Sequence, residues 1–301
     1  MTNHVEGKCI IITGAGGGFG KLVSEKAATL GAKIMCADID AAAAEAVASA
    51  IRADGGIAQS AGVDVRDIGQ MKGLATATVA EFGAIDVMVN NAGIMPLAFW
   101  SDHEAALDAW NRCIDINLKG IMHGIIAVHD QMISQGRGQV VNVASIYGNF
   151  PVAGAGIYGA TKAAVSFLSE SLRVESRGKI KVTTVKPTGV PSTGLSGTII
   201  NQAASVGILG QNTPAFLEMV EQMGAGTFPA ERLDPENIDY ASLAPEHIAD
   251  AILHVINQPW GVSIGDITVR GAGDHFILQG RAPSCRHPPC QWPGGRLCLP
   301  A

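Results

Sequence analysis

Short β-branched runs alternating with longer helical stretches predict an α/β fold, a doubly wound parallel sheet of about seven strands with helices on both faces. Two further observations support it. Several strand segments are apolar nearly throughout, the pattern of strands buried on both faces. No proline-rich linker or break in composition divides residues 1–275, so a single domain over residues 1–280 is expected.

In chain order the strand segments are KCIIIT (8–13), KIMCAD (33–38), GIAQSAGV (56–63), IDVMVN (85–90), GQVVNVAS (138–145), IKVTTVK (180–186) and ITVRG (267–271). Helical character lies between them, for example over 41–54, 71–83 and 164–178. Residues 191–240 carry no strand signal and are rich in Gly, Met, Ala and Thr, which suits a substrate lid.

Composition narrows the function classes. A net charge of −6 gives no electrostatic reason to expect a nucleic acid or an anionic membrane as partner. No apolar run approaches the roughly 18 residues that span a bilayer, and MTNHVEGK has no apolar signal core. A cytoplasmic location is the expectation. Cys9, Cys36 and Cys113 stand alone in apolar surroundings and read as small buried hydrophobes.

TGAGGGFG (13–20) follows the first strand and opens a helix. Glycines there let the backbone turn sharply and approach a pyrophosphate, with amides at the helix N-terminus facing its charge. Thr13, Gly14, Gly16, Gly17, Gly18, Phe19 and Gly20 are the candidate cradle. Asp38 ends the second strand, where a carboxylate can accept from adenosine ribose hydroxyls and repel a 2′-phosphate. Neither Gly17 nor Ile39 is basic, so NAD rather than NADP is the expected cofactor.

Two of the three tyrosines lie in SIYGNFPVAGAGIYGATK (145–162). Tyr158 and Lys162 are four apart, on one face of a helix. A free phenol titrates near pH 10, too high for proton exchange at neutral pH, and a neighbouring ammonium is expected to lower it. Tyr147 has no such neighbour, because Pro151 stands four residues on.

TGAGGGFG, NNAG (90–93), Ser145 and YGATK (158–162), in this order and spacing, closely resemble the short-chain dehydrogenases/reductases, in their single-domain branch. The resemblance spans roughly residues 5–275 and implies a Rossmann-like sheet and a hydride-transferring oxidoreductase. It implies Tyr158 as the general acid-base, Lys162 as the group that lowers its pKa and binds the nicotinamide ribose, and Ser145 as the holder of the substrate oxygen. Asn117, in DINLKG, matches the family asparagine that supports a water relay. Asp64 and Val65 would meet the adenine, and Asn90, Asn91, Ala92 and Gly93 would line the cofactor cleft. After the sixth strand the family carries Pro-Gly, a hydrophobic residue and a threonine, whereas this chain reads KPTGVPST, with Thr188 where glycine is usual. Pro187, Gly189 and Val190 still suit the nicotinamide contact, and Ser192 or Thr193 could take the threonine's part.

The expected pocket wall is apolar: Met95, Pro96, Tyr147, Phe150, Val152, Thr188 and Leu195, with Ile199, Ile200 and Met219 from the lid. No Arg or Lys lies between Pro187 and Glu231, so a neutral hydrophobic secondary alcohol or its ketone is the expected small-molecule partner. The alternatives are a 3-oxoacyl-type or hydroxysteroid-type reductase, and a dinucleotide sensor without catalysis, which would have no need of Tyr158, Lys162, Ser145 and Asn117 together. The resemblance implies a homotetramer, or a homodimer, through helices near 105–133 and 157–177. The tail 281–301 changes composition abruptly. Its Cys285, His287, Cys290 and Cys298 fit no common zinc spacing, so no metal is expected.

Overall fold

The computed structural model describes residues 2–191 and 193–277, so Ser192 and the tail 281–301 lie outside the described residues. Strands β1 (Cys9–Thr13), β2 (Lys33–Asp38), β3 (Ile57–Gly62), β4 (Val87–Asn90), β5 (Gly138–Val143), β6 (Ile180–Pro187) and β7 (Asp266–Val269) form one sheet in the order β3-β2-β1-β4-β5-β6-β7. Every neighbouring pair is parallel. The expected doubly wound, Rossmann-like α/β fold is therefore present.

Alternation along β1 shows why the strands read as apolar throughout. Ile10 and Ile12 join the core on one face of the sheet, and Ile11 joins the core on the other. The first face is covered by α1 (Gly18–Thr29), α2 (Ala41–Ala53) and α8 (Pro245–Ile256), through Val23, Val47 and Ile252 among others. The second is covered by α3 (Ile68–Phe82), α5 (Gly120–Gln135) and α6 (Gly156–Glu175), through Leu74, Val128 and Leu172. Asp40 and Asp67 start α2 and α3 by accepting backbone amides with their carboxylates.

Strand order reverses between β1 and β4, and this places a crevice beyond their carboxyl ends. α4 (His103–Ile114) passes into α5 through a π-helical turn, Asp115–Lys119. Residues 191–240 contain no strand among the described residues, but short 3₁₀ turns and α7 (Thr213–Gly224). This segment is tied down: Thr198 Oγ1 accepts from the Met95 amide at 2.8 Å, and Asn201 donates to Asp102 at 2.8 Å. α6 begins eight residues before the helical stretch read at 164–178, so it carries both Tyr158 and Lys162. Among the described residues no helix is long and apolar enough to cross a membrane.

Candidate active site

At the exit of β1 the chain turns on Gly14, whose φ is +66°, and enters α1 with no side chain capping its N-terminus. The turn packs so closely on the helix that a Cβ at Gly20 would lie 2.1 Å from the Gly14 carbonyl oxygen. Thr13 Oγ1 accepts from the amides of Asn91 and Ala92, at 3.1 and 3.2 Å. Asn91 Nδ2 donates back to the carbonyls of Thr13 and Gly14, at 3.0 and 3.2 Å. Thr13 and Asn91 thus brace the turn, leaving the first amides of α1 for an anion. Asp38 ends β2 beside it and accepts from the amides of Gly16 at 2.9 Å and Asp40 at 3.0 Å.

The second group of polar residues sits at the carboxyl ends of β4 and β5. Ser145 follows β5 in extended conformation, and its hydroxyl bonds with the Tyr158 phenol. Lys162 lies one turn beyond Tyr158 on α6, buried, with Nζ donating to the Val143 carbonyl at 2.8 Å. That ammonium is 5.8 Å from the centre of the Tyr158 ring. Burial lowers the Lys162 pKa to about 8. Burial also pushes the Tyr158 phenol up, and the Ser145 hydrogen bond offsets only part of that. In the protein alone, burial is thus the largest influence on the phenol. Asn117 occupies the π-helical turn, fully buried, and clamps Ile94: it accepts from the Ile94 amide at 2.9 Å and donates to its carbonyl at 2.8 Å. Its Nδ2 also lies 3.3 Å from Cys113 Sγ and 3.5 Å from Thr161 Oγ1.

One cavity of about 660 Å³ joins the two groups, lined at one end by Gly14, Gly17, Gly18, Phe19, Asp38 and Ile39 and at the other by Ser145, Tyr147, Tyr158 and Lys162. A family model described as short chain dehydrogenase matches residues 8–204, which include both ends. The chain belongs to the short-chain dehydrogenase family. Among the relatives of this dehydrogenase, a 2,5-dichloro-2,5-cyclohexadiene-1,4-diol dehydrogenase of Sphingobium indicum is 35% identical over 193 residues, which are 63% of this chain and 76% of that one. A 7α-hydroxysteroid dehydrogenase complexed with NADH and 7-oxo glycochenodeoxycholic acid superposes with TM-score 0.73 at 25% identity, covering 91% of this chain and 99% of that one. A metagenomic short-chain oxidoreductase in complex with NADP superposes with TM-score 0.67 at 25% identity, covering 89% and 98%.

Most of the sequence-read residues of the dehydrogenase line this cavity. Val65, Asp64, Asn91, Ala92, Gly93, Met95, Pro187, Thr188, Gly189, Val190, Thr193 and Leu195 do so, besides those named above. Thr13, Gly16 and Gly20 stand behind the lining as braces. Six residues expected on the wall are not among those that line it. Pro96 is off the wall, and its carbonyl accepts from Trp110 Nε1 at 3.2 Å. Phe150, Val152 and Ile199 are off the wall but pack against the same buried cluster that holds Tyr147 and Tyr158. Ile200 is 41% exposed and also lies off the wall. Asn90 is turned toward the second sheet face, donating to Asn142 at 2.8 Å.

Asp64 lines the cavity, yet both its oxygens are taken by the Arg66 guanidinium in a fork. Arg66 is therefore a cavity residue that the sequence reading missed, with its charge matched by Asp64. Phe216, Met223 and Phe276 were also missed. The helical spacing of Phe216, Met219 and Met223 offered a signal, since they lie on one face of α7. Thr188, the departure from the family pattern, is buried with a hydroxyl that has no hydrogen-bond partner among the described residues.

Proposed function

We propose that this short-chain dehydrogenase is an NAD-dependent enzyme that interconverts a hydrophobic secondary alcohol and its ketone. One observation carries the reading. A single cavity runs from the glycine turn and Asp38, past Ser145, Tyr158 and Lys162, to walls of Met95, Leu97, Tyr147, Leu195 and Met219 that hold no charge. Unclaimed amides at the start of α1, the close approach of Gly14 and Gly20, and the Asp38 carboxylate fit a dinucleotide without a 2′-phosphate.

When bound, that cofactor supplies the hydride acceptor or donor. The chain's own residues manage the proton. Tyr158 takes the proton from the alcohol oxygen in oxidation and returns one to the carbonyl oxygen in reduction. Ser145 holds the same oxygen by its hydroxyl and steadies the charge that develops on it. Lys162, fixed by the Val143 carbonyl, favours the phenolate of Tyr158 and offers its remaining donors to the ribose side of the cleft. Asn117 acts through backbone, holding the Ile94 segment that leads to Met95. Residues 191–240 serve as the lid, with Leu195, Phe216 and Met219 closing the apolar end.

The exposed apolar residues Leu107 on α4, Ile126 on α5, and Phe167 and Val174 on α6 support assembly into a homotetramer, or a homodimer, through these helices. Phe167→Asp should shift the protein to a smaller species in size-exclusion chromatography with light scattering; an unchanged mass would rule this face out.

The function is tested by supplying NAD or NADP with a panel of secondary alcohols, a hydroxysteroid among them. The second reading, a hydroxysteroid-type enzyme, is favoured by the likeness to the 7α-hydroxysteroid dehydrogenase. NAD should be preferred over NADP in kcat/KM. Asp38→Asn keeps an acceptor for the Gly16 amide but removes the charge, and should raise the NADP-to-NAD ratio about tenfold or more. An unaltered ratio would remove Asp38 from cofactor selection.

A further inference from the structure

We infer that Phe276 is the residue that sets the size of alcohol this site accepts, and that it favours compact substrates over bulky ones. The inference rests on the dehydrogenase reading above. Phe276 belongs to the segment after β7, and its ring reaches the cavity by lying directly on the backbone of Gly189. A Cβ at Gly189 would come within 2.0 Å of Phe276 Cζ and 2.4 Å of Cε2, a separation that atoms do not tolerate. Glycine at 189 is thus what admits the ring.

The segment is held from both sides, so the ring is a fixed wall rather than a loose side chain. The Gly273 amide donates to the Tyr240 carbonyl at 2.9 Å, and a Cβ at Gly273 would meet the Asp239 carbonyl oxygen at 2.5 Å. Asp274 accepts from the Phe276 amide at 3.1 Å and pairs with Arg270. On the other side, Asn212 donates to the His275 carbonyl at 2.9 Å, and the Ile277 amide donates to the Ile208 carbonyl at 3.2 Å. Phe216 of α7 meets the Phe276 ring edge-on, with centres 6.0 Å apart. Phe276 therefore joins the lid to the turn after β6, at the end of the cavity that carries Thr188 and Leu195. A wall fixed in this way limits substrate by volume.

The test compares cyclohexanol with a fused-ring secondary alcohol such as 1-tetralol, in the native chain, Phe276→Leu and Phe276→Ala. The kcat/KM ratio of bulky to compact alcohol should rise about tenfold or more in Phe276→Ala and less in Phe276→Leu, mainly through KM for the bulky one. A second readout needs no turnover. Gly189→Ala should lower the melting temperature when Phe276 is present and lower it far less in the Phe276→Ala background, because the clash has gone. A ratio that moves less than twofold in both variants overturns the inference, as does an equal loss from Gly189→Ala in the two backgrounds. Should the native chain turn over neither alcohol nor ketone with either dinucleotide, the dehydrogenase reading itself falls. Turnover with an unmoved ratio removes only the role of Phe276.

Discussion

Tyr158→Phe should lower kcat by about a thousandfold, within the range that a positioned acid-base supplies, while dinucleotide affinity changes only a few-fold. The phenol oxygen is the one group removed, and its contact is the Ser145 hydroxyl, remote from the glycine turn. The ring stays, so its packing against Tyr147, with centres 5.5 Å apart, is kept. Tyr147 cannot take over the work. Its hydroxyl donates to the Ser205 carbonyl at 3.2 Å, and burial pushes its pKa up with no ammonium to oppose that. Steady-state kinetics and a fluorescence titration with the dinucleotide measure the two quantities. A variant that kept a tenth of native turnover would remove Tyr158 from the proton step.

Lys162→Met should abolish turnover and yet stabilise the protein without its cofactor. A pKa lowered from 10.5 to about 8 means that burying the ammonium costs about 3 kcal/mol at neutral pH. Methionine fills similar space without that charge, although the Val143 carbonyl loses its donor, at about 1 kcal/mol. The remainder of about 2 kcal/mol should raise the melting temperature by several degrees. The sign with pH follows from the depressed value. Below about pH 8 the group is protonated in both folded and unfolded chains, and the penalty is complete. Between about 8 and 10.5 the unfolded chain binds more protons, so native stability rises with pH and the gap to Lys162→Met closes. Thermal unfolding followed across pH 7–10 measures it. A variant less stable than the native chain at pH 7 would show that the ammonium is already well solvated or paired.

The sheet was legible because its strands are apolar on both faces and lie between helices of ordinary length. Its ends were less so: β4 begins at Val87 rather than 85, and α6 starts at Gly156, where two glycines in the first four residues hide the helical pattern. Tyr158 and Lys162 were legible from their helical spacing and the glycine turn from its place after β1, whereas Ser145 was read through the family resemblance. The apolar wall was read less well, since proximity along the chain says little about facing. Met95 points into the cavity, while its neighbour Pro96 packs toward Trp110. Phe276 reaches Gly189 from 87 residues further along the chain, and only the missing Cβ at Gly189 records the contact. Burial of Tyr158 and the Asp64–Arg66 fork are likewise products of three-dimensional packing that spacing does not encode.

The central claim is that Tyr158 works beside a substrate end without charge, on a neutral secondary alcohol. The most direct measurement is NAD reduction with a matched pair: one cyclic secondary alcohol, and the same ring bearing a carboxylate. Turnover of the neutral compound is expected with kcat/KM about a hundredfold or more above the acid, as when a buried charge finds no partner, with loss of both rates in Tyr158→Phe. Equal rates for the pair, or a preference for the acid, would contradict it.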